Sequence, residues 1–125
     1  MDGITFNAWR DSTKYIELAE LVDLLRPVLP VLTWRLAIVE AWSTSEHRAA
    51  DLLVDDVEMT LDQLLKVTTE VQIIDGRVIG RQAEERSDVI VIQAVDSTSW
   101  DVYATDSRVL QALRGAFPDA EKIPT

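Results

Sequence analysis

Asp88-Val-Ile-Val-Ile-Gln-Ala-Val95, Asp96-Ser-Thr-Ser99, Trp100-Asp-Val-Tyr-Ala104 and Ser107-Arg-Val-Leu-Gln-Ala-Leu-Arg-Gly-Ala-Phe117 follow one another with only Thr105 and Asp106 between the last two. In the first segment Val89, Val91 and Val95 alternate with Ile90, Ile92 and Ala94. Both faces are therefore apolar, and the alternation predicts a central strand covered on both sides. The short polar side chains of Asp96 to Ser99 bond nearby backbone and favour a turn, and Trp100, Val102 and Ala104 then alternate with Asp101 and Tyr103, so a hairpin is expected. Val109, Leu110, Leu113, Ala116 and Phe117 recur at helical spacing, with Asp106 placed as N-cap and Pro118 as stop, which predicts a helix over 107–117. The expected core is Ile90, Val91, Ile92, Trp100, Leu113 and Phe117.

Outward from this unit, Tyr15, Leu18, Leu21, Val22 and Leu25 form a stripe behind Asp11 and Ser12, predicting a helix over 11–26 that Pro27 ends. The run over 31–42 places Leu32, Trp34, Leu36, Ile38 and Trp42 on one face of a strand; a helix would also align Trp34, Ile38, Ala41 and Trp42, and the strand reading is preferred. Thr60-Leu-Asp-Gln63 is a capping box ahead of a helix over 61–69, with Met59 and Leu64 placed as a hydrophobic staple. Asp75-Gly76 between β-branched runs fits either a tight hairpin or a bulged single strand. These elements predict an α+β fold: one domain over 1–125 with a mostly antiparallel sheet of four or five strands, three helices mainly on one side, and a loose tail over 118–125.

Composition narrows the function classes. Twelve basic against 22 acidic residues give a net charge of −10, which repels phosphate backbones and the anionic cytoplasmic leaflet and disfavours nucleic acid and membrane as partners. Without cysteine there is no disulfide and no thiolate metal site. No basic leader or long apolar run is present, so a cytoplasmic protein is expected. His47 is the only histidine, no Gly-x-Ser-x-Gly elbow occurs, and the four glycines build no phosphate-cradling loop, so no catalytic, cofactor or metal residue is assigned. Paired carboxylates such as Asp96 with Asp101, or Asp55 with Asp56, are the one remaining route to acid–base chemistry. The acidic run Asp51, Asp55, Asp56, Glu58 and Asp62, interleaved with Leu52, Leu53, Val54 and Val57, reads as an ordered rim and is the candidate partner-binding surface.

The segment from Ala94 to Ser107, followed by the helix that ends at Phe117, resembles small acidic bacterial proteins of the immunity type, encoded beside secreted toxins. The resemblance covers about a quarter of the chain and carries no binding residue across. It implies a cytoplasmic, non-catalytic, monomeric or homodimeric binder that masks a toxin domain, often a basic nuclease. Secretion chaperones of bacterial effectors are similar in size and acidity and stand as the alternative, although they place three strands after the first helix where one strand and a helix are expected here. A small carboxylate enzyme ranks third.

Overall fold

The computed structural model describes residues 1–43, 57–69, 71–82 and 84–124. Six strands, β1 (Asp2–Asn7), β2 (Thr33–Ser43), β3 (Val71–Gln82), β4 (Ser87–Val95), β5 (Ser99–Ala104) and β6 (Glu121–Lys122), form one antiparallel sheet in the order β2-β3-β4-β5-β1-β6. Among the described residues three α-helices, α1 (Leu18–Leu25), α2 (Leu61–Thr68) and α3 (Ser107–Ala116), pack on one side of it. The class is α+β as the sequence predicts, with one or two strands more than expected.

One set of alternating residues makes the core. Ile4 and Phe6, Trp34 and Leu36, Val78, Ile90 and Ile92, and Trp100 and Val102 are buried with Leu18, Leu21, Val22 and Leu25 of α1, Leu64 of α2, and Val109 and Leu113 of α3. The opposite set is not buried: Thr5, Arg35, Ile79, Val91, Gln93, Asp101 and Tyr103 are half-exposed, and Ala37 and Arg77 are exposed. β4 is the central strand expected, but among the described residues only its Ile90-Ile92-Ala94 face is sealed. Val91, predicted as core, is half-buried on the open face, because the helices leave that side to solvent as antiparallel sheets allow. The other five predicted core residues are buried.

The predicted helix over 11–26 forms only from Leu18. Its first seven positions are a tight excursion: Asp11 Oδ1 accepts from the amides of Thr13 and Lys14 at 2.8 and 3.0 Å, the Arg10 amide donates to the Lys14 carbonyl, and Trp9 and Tyr15 bridge as antiparallel neighbours. A side chain able to satisfy two local amides competes with the helix, and here it wins. The tail expected to be loose is tethered: β6 pairs with Ile4 and Thr5 of β1, and the Ile123 amide donates to the Gly3 carbonyl at 2.9 Å.

Asp75-Gly76 is the bulged strand of the two options. Register slips between Ile38 and Ala41 opposite Asp75, and a Cβ on Gly76 would stand 2.9 Å from the Ile38 Cα, so only glycine lets β2 and β3 approach there. The hairpin turn between β4 and β5 forms as predicted, with Asp96 and Ser97 at φ 52° and 56° and the Thr98 amide on the Val95 carbonyl at 2.9 Å. β2, the capping box and α3 also match their sequence signals. Gln63 and Thr60 exchange both bonds of the box at 2.9 and 3.2 Å, and Asp106 accepts from the Arg108 amide at 2.9 Å. The Arg108 guanidinium, and then that amide, hold the Asp106 carboxyl below its ordinary range.

Two measurements test the packing. Ile92→Ala deletes a fully buried side chain on the central strand and is expected to cost about 2–5 kcal/mol in denaturant melts, whereas Val91→Ala on the open face costs less than about 1.5 kcal/mol; equal losses would contradict the one-sided core. Burial, with Glu17 nearby, raises the Tyr15 phenol, whose hydroxyl donates to the Ile73 carbonyl at 3.1 Å. The folded protein holds Tyr15 neutral while the unfolded chain ionises it near the ordinary value of about 10. Its contribution is thus complete below that pH and is lost as pH rises above it, and Tyr15→Phe is expected to flatten this alkaline limb of the stability curve.

Candidate functional site

Two prolines shape one wall of a groove beside the edge strand β2. Pro27 lies in a single 3-10 turn (Arg26–Val28) at the end of α1, and Pro30 holds the following backbone extended. Because the run cannot stay helical, its apolar side chains face outward: Leu29 is half-buried and Val31 is 97% exposed. Leu32 and Trp34 continue the wall into β2.

The other wall is the approach to α2. Met59 lies along the outer edge of β2, its amide donating to the Trp34 carbonyl at 2.9 Å and its carbonyl accepting from the Trp34 amide at 2.8 Å. Thr60 then caps α2, fixing Leu61, Asp62 and Gln63 at the rim. Between the walls is a groove of about 740 Å³. Leu29, Leu32, Trp34, Met59 and Leu61 supply its apolar lining, and the exposed carboxylates of Glu58 and Asp62 stand on its edge. Arg26 on the same edge is already engaged by Asp23 at 3.3 Å, an exposed pair that neutralises its charge locally and adds little stability.

Of the five acids singled out in the sequence, Glu58 and Asp62 lie together at this groove. Asp51, Asp55 and Asp56, like His47, lie outside the described residues. Sequence reasoning passed over the Leu29–Leu32 wall, although two prolines three residues apart within an apolar run signal side chains that neither a helix nor a strand can turn inward. Of the carboxylate pairs, Asp55 with Asp56 lies outside the described residues, and Asp96 and Asp101 occupy different positions of the β4–β5 hairpin. Asp96 sits on the exposed turn with its amide on Asp75 Oδ1 at 2.9 Å, and the register places Asp101 opposite Gln93 and Thr5. Among the described residues no group of three or more His, Asp or Glu could hold a metal ion, and no helix is long and apolar enough to cross a membrane.

An apolar trough with two fixed carboxylates at its mouth suits an apolar side chain flanked by Lys or Arg: the trough removes hydrocarbon from water, and the rim attracts and orients the cations. No protein-family model, curated protein or solved structure matches the chain.

The acidic wall depends on its cap. Thr60→Ala removes the hydroxyl that accepts from the Gln63 amide, while its own backbone amide can still donate to Gln63 Oε1, and is expected to cost about 1 kcal/mol in thermal or denaturant melts, whereas Thr60→Ser retains most of the stability. Identical melts for the alanine variant would show that α2 is positioned without the box.

Proposed function

We propose that the protein is a non-catalytic binding module of the immunity type, which neutralises a basic toxin domain by seating one of its apolar side chains in the groove between Leu29–Trp34 and Glu58–Gln63. The observation that carries this reading is the pairing of an apolar lining with the Glu58 and Asp62 carboxylates on a β-bridged edge. The bridge at Met59 and the capped helix fix the backbone that carries both acids before the partner arrives, which limits the ordering cost of binding to their side chains. The overall charge of −10 adds a long-range attraction for such a partner.

Among the described residues β2 is the one strand between α1 and α2, which supports this reading over the secretion-chaperone alternative, for which the resemblance implies three strands in succession after the first helix.

The test begins by identifying the partner through co-purification and mass spectrometry, and then measures binding kinetics with the purified pair. Glu58→Lys with Asp62→Lys is expected to slow association about tenfold or more at low salt, with a smaller change in dissociation and convergence on the wild type at high salt. Leu61→Ser, within the trough, is expected to act chiefly on dissociation. Unchanged kinetics in both variants would remove the groove as the binding site. Catalytic turnover of a small molecule by the protein alone would overturn the non-catalytic reading.

A further inference from the structure

The open face of the sheet carries a pattern that solvation does not account for. In an antiparallel sheet with one face in water, the outward residues are expected to be polar. Here the register sets Ile79 of β3, Val91 of β4 and Tyr103 of β5 side by side in one row, all half-exposed. The Tyr103 ring lies over Gly3 of β1, where an added Cβ would fall 2.5 Å from its Cδ1, so the ring is laid flat along the row. Two residues further along the strands the next row reads Arg77, Gln93, Asp101. The face therefore has an apolar stretch, between Arg35 of β2 and Gly3 of β1, beside a polar row, and in the polar row Arg77 and Asp101 lie symmetrically on either side of β4.

From this placement we infer that the face is a homodimer interface, two copies stacking sheet on sheet about a two-fold axis that runs parallel to β4 and passes between the two β4 strands. Such an axis exchanges β3 with β5 and keeps each row opposite its own copy. Arg77 then meets the partner's Asp101, Ile79 meets the partner's Tyr103, Val91 meets its own equivalent, and Gln93 meets Gln93, an amide that can both donate and accept. Every pair is complementary, and the Arg77–Asp101 pair forms twice. Sheets stack about 10 Å apart, a gap that a long arginine and a short aspartate together can span. An axis parallel to β4 sets the two β4 strands parallel, inside the range of about 30° over which aligned sheets stack. The groove opens on the helix-bearing side of the sheet, so the dimer is independent of the proposed function and leaves both grooves free.

Sedimentation velocity and light scattering of the full chain at low salt test this over a range of concentrations. The wild type is expected to show a reversible, salt-weakened monomer–dimer equilibrium. Arg77→Asp and Asp101→Arg, each alone, juxtapose like charges and are expected to raise the dimer Kd about tenfold or more, with unchanged circular dichroism. An equimolar mixture of the two variants is the decisive sample. One chain then presents Asp at 77 and Asp at 101, the other Arg at both, and the heterodimer recovers two opposite-charge pairs, so dimer is expected to return to near the wild-type level. A wild type that stays monomeric throughout, reversals without effect, or a mixture no more dimeric than its components would each overturn the inference.

Discussion

The buried indole of Trp100 sets the terms for the N-terminal third of the chain. Its Nε1–H points into the core, where an unmatched donor costs about 1–3 kcal/mol, and its acceptor is the Ile16 carbonyl at 2.9 Å. That bond draws residues 8–16 across β5. The Ile16 amide donates to the Ala8 carbonyl, Tyr15 packs between Trp9 and Trp100, and Trp9 Nε1 donates to the Ser97 carbonyl at 2.8 Å. Only after this clamp does the chain turn into α1, whose N-cap Glu17 makes no side-chain capping bond. An eight-residue helix without a cap is too short to persist alone. Its Leu18, Leu21, Val22 and Leu25 stay in place because the aromatic clamp delivers them to the sheet; the Arg10–Glu20 ion pair ties the clamp to α1, and the Phe6–Phe117 stack at 4.4 Å joins β1 to the end of α3.

Legibility in the sequence follows the range of the interactions. Elements fixed by neighbours within four residues could be read directly: the Thr60–Gln63 box, the Asp106 cap, the turn after Val95 and the alternation of β2 all form where their residues place them. β1 and β6 went unread because Gly3-Ile-Thr-Phe6 is short and Glu121-Lys122 has no strand character of its own; both become strands by pairing with β5 and with each other. Asp11 misled for the opposite reason, since a residue that can cap a helix can equally close a loop. The site was half legible. Acidic side chains are visible in a sequence, but the trough they border exists only because the Pro27–Pro30 turn and the Met59 bridge bring together residues some 30 positions apart.

The two exposed features of the molecule lie on opposite sides of the sheet and differ in kind. The groove joins a concave apolar lining to charge of one sign, an arrangement suited to a dissimilar partner. The open face is a sheet surface on which Arg77 and Asp101 lie symmetrically about β4, an arrangement suited to its own copy. At its outer edge the sheet ends in the two-residue β6, exposed and charged at Glu121 and Lys122, a poor template for further strands.

The turn at Asp96–Ser97 has a consequence for engineering the chain. Hairpin tips are the usual places to splice in a tag or an epitope, because their backbone is free. This one is not. The Ser97 amide donates to the Ile74 carbonyl, its hydroxyl accepts from Gln72 Nε2 at 2.9 Å, its carbonyl holds the Trp9 indole, and the Asp96 amide rests on Asp75. These bonds hold two non-glycine residues at positive φ, and a graft there would unfasten β3 and the N-terminal clamp together. The exposed turn at Glu84, Glu85 and Arg86, whose one such bond runs from the Arg86 amide to the Gln82 carbonyl, is the permissive point for insertion.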